Sequence, residues 1–179
     1  MANPLAKEPP LIRQGTIFPP GRLNRRFFRT DLGLECYYDG ARWLTVNEYS
    51  QHLVTVAGTG NYSSTVTNAQ LYNAPIDQSL GGSWVTRLNF GVYVGTTNNG
   101  SNYWTVQAYT ADITDASSVN LGSSFNTTAV SANNRNLFSV IVGAAANVSH
   151  RMYWLSVTKT SGPGTLSITG VVFYRLIVT

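Results

Sequence analysis

Charge is what this chain has least of. Asp, Glu, Lys and Arg make up 11% of its 179 residues, less than half of the share near 25% that is usual in globular domains. Cysteine is reduced to Cys36, which excludes an intramolecular disulfide and a cysteine-based zinc site. Two histidines, His52 and His150, leave few bases for nucleophilic catalysis, which needs one beside a Ser, Thr or Cys. No apolar run approaches the roughly 18 residues of a membrane-spanning helix. The opening MANPLAKEPPLIRQ carries charges and prolines where a signal peptide needs an apolar core. The expectation is a soluble protein made in a cytoplasm, with no membrane partner.

Polarity comes instead from Thr, Ser, Asn and Gly, which suit turns and exposed strand faces better than helix interiors. With 43% hydrophobic and 12% aromatic residues, the chain has enough apolar material for one core, and its length favours one domain plus an arm over two domains. The net charge of +4 is unevenly placed. Lys7, Arg13, Arg22, Arg25, Arg26 and Arg29 face only Glu8 within residues 1–30, and the remainder is close to neutral. The basic character therefore belongs to the leading segment and not to a domain face.

That segment holds Pro4, Pro9, Pro10, Pro19 and Pro20, with Gly15 and Gly21 between them. No helical or alternating period survives such spacing, so residues 1 to about 24 are expected as an extended arm that orders on contact, offering Leu11, Ile12, Ile17 and Phe18 to a partner. RFFRTDLGLECYYDGARWLT, residues 26–45, then reads as a three-stranded meander. Asp31-Leu32-Gly33 suits a three-residue loop with Gly33 in the left-handed slot, and Asp39-Gly40 suits a type I′ hairpin turn. Trp43 sits at the start of the closing strand.

Beyond Val46, strand-like runs cover residues 48–57, 82–95, 102–113, 137–142, 150–159 and 165–178, with turn clusters at 96–100, 131–134 and 161–164 between several of them. Runs of this length and spacing predict a β-sandwich or barrel. Trp84, Thr86, Leu88, Phe90, Val92 and Val94 fall on one strand face; Val85, Arg87, Asn89, Gly91 and Tyr93 fall on the other. This second face is only partly polar, which anticipates cover from another subunit. The terminal GVVFYRLIVT is expected between two neighbouring strands, as in a jelly roll. Ala144 to Ala146 is too short a window for a helix and reads as loop. The expected fold is all-β: residues 1–45 as arm plus meander, residues 46–179 as a jelly-roll β-sandwich.

Signals for chemistry are weak. His52 and His150 read as surface or interface residues, and no GxSxG elbow accompanies them. Cys36 alternates with the aromatic face of the meander and reads as a buried apolar residue. Asp112 and Asp115 are the carboxylate pair nearest in sequence, but a strand end is where Asp forms turns; with Asp77 they lack the dense oxygen spacing of a calcium loop. Gly58-Thr59-Gly60 and Gly81-Gly82 lack the Lys and spacing of a phosphate loop. No catalytic residue, metal site or cofactor is assigned. Trp84, Tyr93, Tyr103, Trp104, Tyr109, Tyr153 and Trp154 allow a sugar-stacking platform. Adjacent pairs such as Tyr103-Trp104 and Tyr153-Trp154 point to opposite faces, which favours core and subunit packing over a carbohydrate site.

The sharper signal is the interleaving of Arg22, Arg25, Arg26 and Arg29 with Leu23, Phe27 and Phe28. Guanidinium forks bind carboxylates bidentately while neighbouring apolar side chains bury area, the make-up of an interface. Arg13, Phe18, Arg22, Arg25, Arg26, Phe27 and Arg29 are therefore the candidate partner-binding residues, with Asp31, Gly33, Asp39, Gly40 and Trp43 shaping the meander. Nucleic acid is the less favoured partner of the same arm.

Arg29-Thr30-Asp31-Leu32-Gly33 followed by Tyr37-Tyr38-Asp39-Gly40-Ala41-Arg42-Trp43-Leu44 resembles a module recurrent in tailed-bacteriophage virion proteins: an aromatic, Arg-Thr-Asp, a short turn, two aromatics, Asp-Gly-Thr-Arg-Trp-Leu, then a β domain. Ala41 stands where Thr is usual, and Cys36 where a bulkier residue is common. TTNNGSNYWTV, residues 96–106, and the terminal strand are similar to trimeric jelly-roll domains of tail fibres and head decoration proteins. The resemblance implies a non-enzymatic virion structural protein, usually a homotrimer. Fibres carry long shafts before such a domain, whereas about 25 residues precede the module here, so the expectation is a capsid decoration (cement) protein binding the major capsid protein. The alternative is a tail-fibre or tail-tip domain binding a host glycan through loop aromatics such as Tyr103 or Trp154.

Overall fold

The computed structural model describes residues 12–53, 61–63, 65–73, 81–112, 118–143 and 151–179. Among them are thirteen strands and no helix: β1 (Gln14–Gly15), β2 (Arg26–Arg29), β3 (Leu34–Tyr38), β4 (Trp43–Thr45), β5 (Tyr49–Leu53), β6 (Asn61–Tyr62), β7 (Val66–Asn73), β8 (Ser83–Val94), β9 (Tyr103–Asp112), β10 (Ser118–Asn126), β11 (Arg135–Ile141), β12 (Arg151–Thr160) and β13 (Leu166–Val178).

From β5 onward the pairing is that of one long antiparallel ribbon rolled into two sheets. β5 and β6 pair with β13, β7 with β12, β8 with β11 and β9 with β10. Successive couples alternate between a sheet ordered β5/β6–β13–β8–β11 and a sheet ordered β7–β12–β9–β10. This strand order is a jelly roll, in which the two sheets bury their facing sides against each other. β13 lies between β8 on one edge and β4, β5 and β6 on the other, as expected for the terminal strand.

The core follows from period-2 alternation. Leu88, Phe90, Val92 and Val94 of β8 face Trp104, Val106 and Ala108 of β9 and Leu155 and Val157 of β12, with Leu166, Ile168 and Val172 of β13 beside them. All are buried. The Tyr103-Trp104 pair splits as strand geometry demands, with Trp104 in the core and Tyr103 half-exposed.

The face assignment made for β8 holds from Leu88 to Val94 and reverses before it. β13 pairs Phe173 with Arg87 and Tyr174 with Val85, leaving Thr86 as an extra residue in β8. Such a bulge turns the preceding side chains over, so Val85 enters the core and Trp84 leaves it. The bulge is held by the Thr86 hydroxyl, 2.6 Å from Glu48 Oε1 and 3.1 Å from Phe173 O.

Strands β7 and β10 were not anticipated from the sequence. They are the two edges of the four-stranded sheet, where burial imposes little alternation. β10 also carries a register irregularity between Leu121 and Phe125, with Gly122 at φ +63°. Residues 1–11, Asp77, Ala144 to Ala146, Asp115, His150 and the loop Gly58 to Gly60 lie outside the described residues, as do the side chains of Asp112 and Trp154.

Replacing Phe90, which is fully buried, by Ala is expected to lower unfolding stability by about 3–5 kcal/mol through lost burial and the cavity left behind. Leu137→Ala, at 80% exposure, should change the isolated chain by no more than about 0.5 kcal/mol. Urea titration followed by tryptophan fluorescence checks both.

Candidate partner-binding face

The meander is spliced onto the sandwich. β3 pairs on one side with β2 and on the other with β4, and β4 pairs Trp43 and Leu44 with Val178 and Ile177 of β13. The order β1–β2–β3–β4–β13 therefore continues the sandwich sheet outward. Arg175 of β13 reinforces the splice by donating to the carbonyl oxygen of Thr45 at 2.8 Å and to that of Val46. The guanidinium of Arg42 lies 3.8 Å from the Trp84 ring centroid, tying the second turn to β8.

The two turns differ from their expected forms. Arg29 pairs with Leu34, so Thr30 joins the first loop and makes it four residues long; Gly33 does take the left-handed slot, at φ +66°. Tyr38 pairs with Trp43, so the second loop also has four residues and not the two of a type I′ turn. Gly40 has φ +108° whereas Asp39 is not among the positive-φ residues. Asp39 Oδ1 accepts from the backbone N–H groups of Ala41 and Arg42, each at 2.8 Å. This side-chain cap organises the turn without a left-handed Asp.

A small second core fills the meander. Phe27, Cys36, Trp43 and Val178 are buried together, with Phe18, Leu34 and Tyr38 against them. Phe18 stacks on Trp43 with centroids 4.4 Å apart and planes 6° from parallel, and Phe27 and Tyr38 meet Trp43 at tilted angles. Burial pushes the Cys36 thiol up to about 11, in keeping with its reading as an apolar core residue.

Residues 12–25 remain extended but are held against the chain's own meander. β1 runs parallel to β2, with Phe28 N–H donating to Arg13 O and Thr30 N–H to Gly15 O. Asn24 N–H donates to Tyr38 O at 2.8 Å, and Tyr38 N–H donates back to Arg25 O at 3.0 Å. Gly21 lies under the Tyr38 ring so closely that a Cβ would fall 2.3 Å from Tyr38 Cζ, which leaves no room for any side chain there.

Three of the candidate partner residues are packed against the chain's own meander. Phe18 and Phe27 are packed into the aromatic cluster, and Arg29 is buried. Arg29 Nε and Nη2 donate to Asp31 Oδ1 and Oδ2 at 2.9 and 2.8 Å, Nη1 donates to Thr179 O at 3.0 Å, and the guanidinium lies 4.8 Å from the Phe18 centroid. A cation flanked by hydrophobic side chains is stable only when paired, and Arg29 spends its fork on Asp31. Arg25 is half-buried and donates to Pro20 O. Arg13, Arg22 and Arg26 are exposed, as are Ile17 at 83% and Leu23 at 64%.

Between meander and sandwich opens a cleft of about 340 Å³ lined by Asn24, Arg26, Tyr37, Val46 and Arg175. Arg26 is paired with Glu35 at 3.1 Å. Arg175 stacks on Tyr37, 5.4 Å from its centroid. Arg175 was not anticipated as a site residue, although it is a lone cation inside the apolar run VVFYRLIV. On the sandwich, the exposed Leu137 and Ile141 (81%) project from edge strand β11. Beside them a shallow concavity of about 300 Å³ is lined by His52, Asn89, Gly91, Arg135, Leu137 and Phe173, among others.

No protein-family model matches this chain, and no curated protein matches it by sequence. Among solved structures it is similar to the xylan-binding module CBM15, at 11% identity and TM-score 0.43, over 72% of this chain and 97% of that one. It is also similar to infectious bursal disease virus Gx strain, at 11% identity and TM-score 0.44, over 81% of this chain and 42% of that one. A third similarity is to Desmodium yellow mottle tymovirus, at 10% identity and TM-score 0.32, over 76% of this chain and 90% of that one. The jelly roll itself is established by the strand order.

Asp31 gives the site a pH signature. The fork from Arg29 holds its carboxyl below the usual aspartate value of 3.8, chiefly by hydrogen bonding. A carboxyl with a lowered folded-state pKa contributes stability that is complete above the unfolded pKa and fades as pH falls through the folded one. Asp31→Asn is therefore expected to destabilise the protein at neutral pH, with the difference from the parent shrinking at pH about 2. Paired urea titrations at the two pH values measure it.

Proposed function

We propose that this chain is a non-enzymatic virion structural protein of the tailed-phage type, a trimeric capsid decoration protein that docks on the major capsid lattice through its arm and meander. The observation that carries the reading is where exposed cations and apolar side chains coincide. Arg13, Ile17, Arg22, Leu23 and Arg26 are exposed on the arm and its neighbouring strand, and a fork-bearing cation beside an apolar contact is the composition of a protein-binding anchor. Leu137 and Ile141 at the sandwich edge, beside Arg135, supply a separate and more apolar surface for self-association. The Arg29–Leu44 module and its resemblance to tailed-phage virion proteins support the same reading.

Threefold association matters energetically because three weak arms on one knob act at high effective concentration. The head lattice and the trimer are thus two uses of two distinct surfaces, one basic and one apolar. Arg29 and Phe18 serve by holding the arm in shape, not by touching the partner.

Removing residues 1–24 would also strip Phe18 from Trp43, so surface substitutions give the cleaner test. Arg13→Glu/Arg22→Glu/Arg26→Glu is expected to remain trimeric by light scattering yet lose occupancy on expanded capsids by at least about tenfold. Leu137→Asp/Ile141→Asp is expected to shift the chain to monomer. A monomeric parent, or a charge-reversed variant that decorates capsids as well as the parent, contradicts the proposal; glycan-array hits with no capsid binding would favour the tail-tip alternative.

A further inference from the structure

We infer that the cleft between meander and sandwich is a carboxylate-binding site, built to take a Glu or Asp side chain from an acidic segment of a protein partner. The inference rests on geometry alone and holds whichever assembly the chain joins. Arg175 is half-buried, yet among the described residues no carboxylate lies within ion-pair distance of it. Its guanidinium is nevertheless fixed: Nη1 donates to the carbonyl oxygens of Thr45 and Val46, and Cζ lies over the Tyr37 ring, 5.4 Å from its centroid. Those contacts occupy one end of the group. The edge formed by Nε and Nη2 is the one that receives a carboxylate through two parallel hydrogen bonds.

The rest of the lining fits the same ligand. Val46 and Tyr37 give an apolar wall for the methylene stem, and Arg26 supplies a second cation at the rim, half-neutralised by Glu35 at 3.1 Å. A half-buried cation held by two carbonyl dipoles and the Tyr37 ring has no counter-charge, and a partly desolvated charge gains from a partner of opposite sign. Nucleic acid fits less well, because it requires a broad basic stripe, and the cleft offers two guanidiniums of which one is already paired. The volume of about 340 Å³ admits a side chain rather than a nucleotide with its stacked neighbours.

The probes are a blocked peptide of alternating Glu and Gly, inorganic phosphate, and single-stranded poly-dT, each titrated into the full chain at low salt with NMR observation of arginine Nε–H. The peptide is expected to move the Arg175 Nε–H signal with saturation, whereas phosphate moves it weakly and poly-dT does not compete with the peptide. Arg175→Lys keeps the charge but loses the fork, and should weaken the peptide by about tenfold. Arg26→Gln, an exposed position that holds no backbone group, should weaken it by about threefold with an unchanged spectrum elsewhere. Equal peptide affinity for the parent and Arg26→Gln, with Arg175 Nε–H unmoved, overturns the site, as does poly-dT displacing the peptide from it.

Discussion

Strand β13 has to satisfy two edges at once, and the architecture follows from how it does so. Along Leu166 to Leu176 it pairs with β8, and on its other edge β6, β5 and β4 succeed one another. Its first half delivers Leu166, Ile168 and Val172 to the sandwich core, whereas Val178 at its end belongs to the meander core. The Thr86 bulge in β8 marks the change of allegiance. One strand thereby welds two hydrophobic cores that would separately be small, and small cores are marginal on their own.

Electrostatics obeys the same division. Inside the weld, cations are matched locally: Arg29 by Asp31, Arg42 by Asp39 and the Trp84 ring, Arg87 by Glu48 and the Phe173 ring. The bidentate Arg29–Asp31 pair closes the first meander turn while Arg29 Nη1 reaches the end of β13. Outward from the weld, Arg26 is exposed but paired with Glu35, and Arg13 and Arg22 are exposed with no ion pair among the described residues. A chain so poor in charge thus uses nearly every acidic group near the meander to fix structure, and leaves its spare cations on the surface where a partner protein is proposed to bind.

The sandwich was largely legible in the sequence because its central strands are buried on one face and alternate over most of their length, the Thr86 bulge apart; β8, β9, β12 and β13 begin within a residue of their expected positions. Edge strands β7 and β10 were not, since an edge imposes no alternation and β10 is interrupted at Gly122. Turn position was readable from Asp-Gly and Asp-Leu-Gly, but turn type and length were not: the Asp39 side chain caps a four-residue loop in place of the type I′ turn. The packing of Phe18, Phe27 and Arg29 against the meander was not legible, because composition reports that arginines and aromatics cluster, not which of them face each other. Pairing with Asp31 and stacking on Trp43 are tertiary choices. The cleft was invisible for the same reason, since Arg175 meets Tyr37 only across the splice.

The claim that meander and sandwich form one cooperative unit can be read from the chain's sole cysteine. Cys36 is fully buried beneath Phe27, Trp43 and Val178, so its thiol reports opening of the meander, whereas far-ultraviolet circular dichroism is dominated by strands β5 to β13 and reports the sandwich. Pulsed thiol labelling across a urea gradient should give a Cys36 exposure midpoint that coincides with the circular dichroism midpoint. Full labelling of Cys36 at urea concentrations where the sandwich signal is still native would show the meander to be a separate, weakly attached module and contradict the account.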